Sequence, residues 1–191
     1  MQRLIRFRRV VWTIGGAAAI VATVVGVRAF AAPAGGPLPT CTGCLRKQPP
    51  IPAARVKATV PILTPDNTFT LIPLDQEEFD TAALHDPADN TKLTAPLAGI
   101  YTVSGHVSWP FNTQATREVF LDANIGIVFQ RVASSVLPAP SPIAEQSIST
   151  IVQLSAGDSV QLEVRTTGSN DNVQVSDHSP TLTMAWLGPS S

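Results

Sequence analysis

Cys41 and Cys44 are the two cysteines of this sequence, and they form a Cys-x-x-Cys pair. In a reducing compartment such a pair serves redox chemistry or supplies half of a zinc site. Here the sequence offers no second ligand pair and no βαβ pattern around the cysteines, so neither chemistry is favoured. In an oxidising compartment we expect a tight intrachain disulfide loop or a disulfide between neighbouring chains, and both alternatives stay open.

General acid–base or nucleophilic catalysis finds little support. The sequence has three histidines: His85, His106 and His178. A Gly-x-Ser-x-Gly motif is absent, and the neighbours His85 and Asp86 would point to opposite faces of a strand. Glu77 and Glu78 diverge for the same reason, whereas a glycoside hydrolase needs a converging pair of carboxylates. We therefore predict that the protein is not an enzyme.

Calcium is the one metal for which the sequence offers suitable side chains. This ion takes about six to eight oxygen ligands, often from Asp and Asn in loops. The oxygen-rich positions give four candidate ligands: Asp122, Asn124, Asp171 and Asn172. No known ligand motif matches them, and ordinary solvated turns are the alternative. No other cofactor is expected.

The charge distribution argues against a nucleic-acid partner. The chain has 191 residues, a formal charge of −1 and 44% hydrophobic residues, and its 17 prolines leave little room for long helices. From residue 51 onward, six basic residues stand against 14 acidic ones. An acidic body of this kind is repelled by phosphate backbones and anionic headgroups.

The first 31 residues predict an export signal. Four arginines lie among residues 1–9, and the 18 residues 10–27 carry no charge. Ala29-Phe30-Ala31 then fits a signal peptidase site. An apolar signal helix in residues 1–31 is either a cleaved signal peptide or an uncleaved anchor, which would be the only membrane contact. Both alternatives place the remainder outside the cytoplasm, secreted or on the cell surface, after a Pro/Gly-rich linker at residues 32–53.

Residues 54–191 predict an all-β domain. Apolar and polar residues alternate with a period of two, most clearly in residues 100–109, where Tyr101, Val103 and Val107 share one face. The expected strands are 56–63, 68–74, 100–109, 119–123, 147–154, 160–165, 172–175 and 181–187. Short strands at this density form a two-sheet antiparallel sandwich or a barrel, most economically a jelly roll.

Two blocks in this order and separation resemble the complement C1q-like domain, a relative of the tumour-necrosis-factor (TNF) fold. The first block runs from Asn90 into the strand that contains Val107, and the second runs from Leu154 through a Gly-Asp turn to Leu162. The motif positions are Phe79, Gly99, Tyr101, Val103, Val107, Gly157 and Asp158. The likeness is greatest to secreted bacterial members and implies a C1q/TNF-like jelly roll. Residues 182–188 depart from the family's C-terminal strand, and no collagen-like stretch precedes the domain.

The resemblance also implies a compact homotrimer. Three apolar residues interrupt the polar faces of predicted strands: Phe120, Ile151 and Leu187. Side chains of this kind mark subunit contacts or are covered by a loop of the same subunit. The leading hypothesis is an extracellular, non-enzymatic module that recognises a protein or glycan. The alternatives are a structural component of a cell-surface or appendage assembly and, more weakly supported, an extracellular polysaccharide hydrolase.

Overall fold

The computed structural model describes residues 50–140, 143–175 and 180–190. The predicted signal segment, nearly all of the linker, both cysteines and His178 lie outside the described residues. The twelve strands of the described part are β1 (Ala53–Lys57), β2 (Ile62–Thr64), β3 (Thr70–Leu71), β4 (Gln76–Asp80), β5 (Lys92–Thr94), β6 (Gly99–Trp109), β7 (Thr116–Ile125), β8 (Val128–Leu137), β9 (Ala144–Leu154), β10 (Ser159–Thr167), β11 (Asp171–Val173) and β12 (Thr181–Gly188). A 3₁₀ helix at Pro87–Asp89 is the one helix in these ranges, and no helix there is long and apolar enough to span a bilayer.

Two antiparallel sheets pack face to face, which confirms the predicted fold class. The first sheet has the strand order β4-β1-β12-β6-β9. The second sheet has the order β3-β10-β7-β8, with β5 also paired to β10, and β2 pairs with β11 in a small separate ribbon. The chain crosses between the sheets at the β5–β6, β6–β7, β8–β9 and β9–β10 connections, as in a jelly roll.

Strand β6 is central to the core because its alternate side chains point between the sheets. Tyr101, Val103, Val107 and Trp109 are fully buried, and the Trp109 Nε1 donates a hydrogen bond of 2.7 Å to Gln146 Oε1 on β9. Gly105 occupies the inward position between them, where a Cβ atom would lie 2.6 Å from Leu162 Cδ1 of the opposite sheet. The absence of a side chain at Gly105 lets the two sheets approach closely at this point.

Strand boundaries differ from expectation where the alternation is weak. The predicted strand 56–63 is two strands, β1 and β2, separated by residues 58–61. Strands β4, β5 and β8 were not predicted. β8 alternates poorly because it is an edge strand whose residues are exposed or half-buried throughout.

Side chains of the second sheet cover its outer face. Phe120 is only 4% exposed because Phe69 packs at 5.7 Å between ring centroids and the Arg131 guanidinium lies 3.5 Å from the Phe120 ring centroid. Phe120 is thus covered within its own subunit, which is the second of the two alternatives given for it above. The cation–π contact and the ring contact come from β8 and from the segment before β3, which are far apart in sequence.

Two carboxylates share the guanidinium of Arg131 on this outer face. Arg131 donates from Nε to Asp122 Oδ1 at 2.9 Å and from Nη2 to Glu163 Oε2 at 2.8 Å. Burial, and then the nearby Asp122 carboxylate, raise the pKa of Glu163 from 4.5 to about 7. A neutral Glu163 is therefore favoured in the folded state well above the pH at which an exposed glutamate ionises.

Filling the space at Gly105 should destabilise the sandwich. We expect Gly105→Val to lower the free energy of unfolding by about 1–3 kcal/mol because the added methyl groups overlap the buried side chains of Leu162 and Leu121. The control is Gly188→Val on β12, where a Cβ meets no atom within 4 Å. Urea unfolding followed by fluorescence measures both variants, and equal stability of the two would contradict the packing described for Gly105.

Replacing Glu163 should change how stability depends on pH. Because its folded pKa of about 7 lies above the reference value of 4.5, this group stabilises the fold most at low pH. That contribution is lost as the pH rises towards 7 and Glu163 ionises. The Tm of Glu163→Gln relative to the parent should therefore increase by a few degrees between pH 5 and pH 8, measured by differential scanning calorimetry. A difference that stays constant over this range would show that the Glu163 pKa is not raised.

Candidate assembly and binding surface

The outer face of the first sheet is lined by small polar side chains. On β6, β9 and β12 the outward positions hold six of them: Thr102, Ser104, Ser147, Ser149, Thr181 and Thr183. The register aligns them in rows, with Ser104 opposite Ser149 on one side and Thr183 on the other. We call these six residues the small-residue face. It forms because the inward positions of the same strands take the large apolar side chains.

A shallow cavity of about 330 Å³ lies on this face. Its lining includes Arg55, Ser104, His106 and Ser149, with the backbone of Gly105 below them. His106 Nδ1 lies 3.0 Å from Ser147 Oγ, so the imidazole is held against β9. The cavity therefore offers hydroxyl groups, one imidazole and one guanidinium to an incoming group.

Ion pairs with Glu78 hold two basic side chains at the margin of the face. Arg55 Nε lies 2.8 Å and Lys57 Nζ 3.5 Å from the two carboxylate oxygens of Glu78. These pairs are partly exposed and contribute little to stability. Two basic side chains share the single carboxylate of Glu78, so this margin of the face keeps a net positive charge.

Ile151 and Leu187, two of the three predicted interface residues, lie near the start of β6. Ile151 is opposite Thr102 on β9 and is 67% exposed, and Leu187 on β12 is 57% exposed. Phe120 lies on the other sheet and is buried, as described above. The structure thus brings two of the three predicted interface residues to the sheet that carries the small-residue face.

The motif positions of the resemblance fall into two groups. Tyr101, Val103 and Val107 are core residues of β6, and the Tyr101 hydroxyl donates a hydrogen bond of 2.7 Å to the Leu97 carbonyl. Phe79 lies outside the core, on β4, with its side chain 46% exposed.

The three remaining motif positions are at turns and a strand start. A Cβ at Gly99 would lie 2.2 Å from Trp186 Nε1, so glycine allows the indole to pack there. Gly157 adopts a φ of +93°, which favours glycine. Asp158 Oδ2 accepts a hydrogen bond of 2.7 Å from Ser155 N, which is the turn geometry expected for a Gly-Asp pair.

The four candidate calcium ligands do not come together. Asp122 binds Arg131 on the second sheet, and Asn124 Nδ2 lies 3.4 Å from Gln161 Oε1 on the same face. Asp171 and its neighbour Asn172 lie at another site, on β11, where Asp171 Oδ2 accepts a hydrogen bond from Nε of the fully buried Arg117 at 2.8 Å. Among the described residues there is no group of three acidic, histidine or cysteine side chains that could hold a metal ion.

The side chains considered for catalysis are engaged separately. His85 is buried, and its Nδ1 lies 2.9 Å from Glu77 Oε1 rather than near Asp86. Asp86 instead caps the 3₁₀ helix by accepting a hydrogen bond from Ala88 N at 2.9 Å. Glu78 points to the basic pair on β1, so Glu77 and Glu78 diverge as the sequence predicted.

Sequence reasoning missed the serines and threonines of the small-residue face as a candidate surface. The sequence does contain an indication of this face. Hydroxyl residues stand two positions apart at 102 and 104 and again at 147 and 149, and the next outward positions hold His106 and Ile151. Each strand alone reads as an ordinary solvated face. Only the register across β12, β6 and β9 makes one continuous surface.

No protein-family model and no curated protein matches the chain. Solved structures do match. The Eiger TNF of S. frugiperda aligns with a TM-score of 0.56 and 15% identity, over 74% of this chain and 96% of that one. Murine APRIL at pH 5.0 aligns with a TM-score of 0.59 and 14% identity, over 72% of this chain and 100% of that one.

The globular domain of the zebrafish complement 1qA protein aligns with a TM-score of 0.50 and 12% identity, over 74% of this chain and 100% of that one. All three are animal proteins, so the likeness to bacterial members stays a prediction. At these identities the comparisons establish architecture alone. The chain has the jelly-roll fold of the TNF-like and C1q-like domains, as its sequence motifs predicted.

Proposed function

We propose that this chain is an extracellular, non-enzymatic jelly-roll module that assembles into a homotrimer and recognises a protein or a glycan. The observation that carries the proposal is the small-residue face, with Ile151 and Leu187 exposed beside it. Large apolar side chains on an otherwise polar sheet face are a common mark of a protein contact.

Small side chains make this face suited to close contact with another folded surface. The hydroxyl groups extend little above the sheet, so the approaching side chains can reach the backbone level of β6 near Gly105. The hydroxyl groups can also form hydrogen bonds across the contact, which keeps them satisfied when water is excluded. Ile151 would lose its exposure of 67% in such a contact, which favours association through the hydrophobic effect.

A second copy of the chain offers a surface suited to this face. At the edge of the sandwich that contains β8 and β9, Val136 is 57% and Ile143 is 70% exposed. A contact between this edge of one copy and the small-residue face of the next joins two different patches. Repetition of such a contact closes a ring with rotational symmetry, and the C1q/TNF-like resemblance implies three copies.

The positions of the acidic side chains support a role without catalysis. Glu77 binds His85, and Glu78 binds Arg55 and Lys57, so this pair does not converge on a common point. The described carboxylates with nearby basic partners serve as structural ion pairs. The proposal that the chain recognises an extracellular partner therefore rests on the exposed face and on the predicted export signal, because the fold alone does not define a function.

A charged residue on the small-residue face should disrupt assembly. We expect the parent chain to have three times its monomer mass in light scattering at micromolar concentration. Ser149→Arg places a long cation in the centre of the contact, and we expect it to weaken association by at least about tenfold. Thermal unfolding of the variant checks that the fold is intact.

Thr68→Arg is the matched control, because Thr68 is an exposed threonine just before β3, which is the edge strand of the second sheet opposite to β8. It should leave the mass unchanged. A monomeric parent chain at micromolar concentration would overturn the trimer, and equal masses for the two variants would show that the contact lies elsewhere.

Recognition of an extracellular partner can be separated from a purely structural role. The immobilised chain should retain a discrete partner from cell-surface extracts, because a binding module uses a surface that remains free after assembly. Protease or glycosidase treatment of the extract before capture then distinguishes a protein from a glycan. Recovery of the chain itself as the sole cross-linked species would favour the structural alternative instead.

A further inference from the structure

Three loops meet at one end of the sandwich and expose apolar side chains. They are the β5–β6 loop, the two-residue β7–β8 turn and the β9–β10 turn. Four residues of the first two loops and the start of β8 are prominent, and we call them the apolar tip: Leu97 at 49% exposure, Ile127 at 103%, Val128 at 58% and Phe129 at 55%. Such a concentration at one end distinguishes this tip from single exposed apolar residues.

Asp158 holds the three loops together. Its carboxylate accepts hydrogen bonds from Ser155 N at 2.7 Å and from Gly126 N at 2.8 Å. Its backbone carbonyl accepts from Ala95 N at 2.8 Å, and Gly157 N donates to the Ala95 carbonyl at 2.8 Å. The apolar tip is therefore presented by a fixed scaffold, and its exposure is not a consequence of a loose loop.

The tip carries almost no charge. Residues 95–100, 125–130 and 154–157 contain no acidic or basic residue, and the neighbouring Asp158 is only 6% exposed. The opposite end of the sandwich also exposes apolar side chains, Phe111 and Ile143, but together with the acidic residues Asp66 and Glu145. For a chain whose residues from 51 onward are strongly acidic, an uncharged end is the one that a lipid surface would not repel.

The chain enters the sandwich at the same end. Trp186 N donates a hydrogen bond of 2.9 Å to the Pro52 carbonyl, and Trp186 Nε1 donates one of 3.3 Å to the Ala98 carbonyl, next to Leu97. The sequence before this entry point contains the uncharged residues 10–27, whose composition predicts a signal peptide or an anchor. When that segment stays in a bilayer, the tether attaches beside the tip.

We infer that the apolar tip docks into the interfacial region of the lipid bilayer in which residues 10–27 are anchored. The inference rests on the uncleaved-anchor alternative and goes beyond the proposed trimer. The free energy falls when apolar side chains such as Ile127 and Phe129 move from water to the headgroup–acyl boundary. The linker at residues 32–53 limits how far the tip can move from the lipid and raises its effective concentration there, so even a weak intrinsic affinity gives a populated contact.

Fluorescence quenching by brominated lipid tests this contact in the full-length chain. The chain is recovered from the membrane fraction of expressing cells and reconstituted into vesicles of phosphatidylcholine with dibrominated acyl chains. One variant carries Ile127→Trp at the tip. The matched variant carries Phe111→Trp at the opposite end, where Phe111 is 69% exposed. The signal of the parent chain, which holds three tryptophans, is subtracted from both.

We expect the tryptophan at position 127 to be quenched at least about twofold more strongly than the one at position 111. Both substitutions are at exposed sites, and circular dichroism checks that the fold is kept. Equal quenching at the two positions would overturn the inference. So would protection of position 127 from aqueous iodide without quenching by bromolipid, because protein would then cover the tip. Absence of the chain from the membrane fraction would overturn it as well, and light scattering tests the trimer independently.

Discussion

The strict alternation of side chains along β6 is the constraint on which the rest of the structure depends. From Tyr101 to Trp109 every second residue points between the sheets and, apart from Gly105, carries a buried apolar side chain, while Thr102 and Ser104 between them are small and polar. The inward side chains of β6 are therefore fully buried in the core under the centre of the first sheet. The same alternation leaves an outer face with little side-chain volume, and this face carries the proposed contact.

The outer face of the second sheet is covered by side chains of the same subunit. Phe120 is an outward residue, yet Phe69 and Arg131 cover it, and Arg131 is held in turn by Asp122 and Glu163. Aromatic packing and shared carboxylates thus close this face within one subunit. One sandwich therefore has one closed face and one open face. This asymmetry is why a partner is assigned to the first sheet.

The parts of the fold that could be predicted are the strands and turns that depend on residues close together in the sequence. β6 and β10 alternate clearly, and the Gly157-Asp158 turn depends on a positive φ and a local hydrogen bond. β8 was missed because it is an edge strand with exposed or half-buried residues throughout. Its sequence therefore lacks the alternation of apolar and polar residues that marks a half-buried strand. β4 was missed because its burial is slight along its whole length.

The candidate site was less predictable because its contacts join distant segments. Ile151 and Leu187 were recognised as apolar residues on polar faces, but Phe120 has the same local pattern and is buried by residues of other strands. Asp122 and Asp171 are oxygen-rich positions in sequence, and each instead meets an arginine brought to it by the fold. Only the three-dimensional register separates such ion pairs from ligand sets.

The hydrogen bond between Trp186 and Pro52 has a consequence for engineering. It places the first and last strands of the domain side by side, so the two ends of the described chain leave the sandwich close together. A domain whose two ends are adjacent can be inserted into a surface loop of a host protein without distorting the domain or the host. It can also be circularly permuted through a short joining peptide, with new termini opened in the loop around Phe111 at the far end.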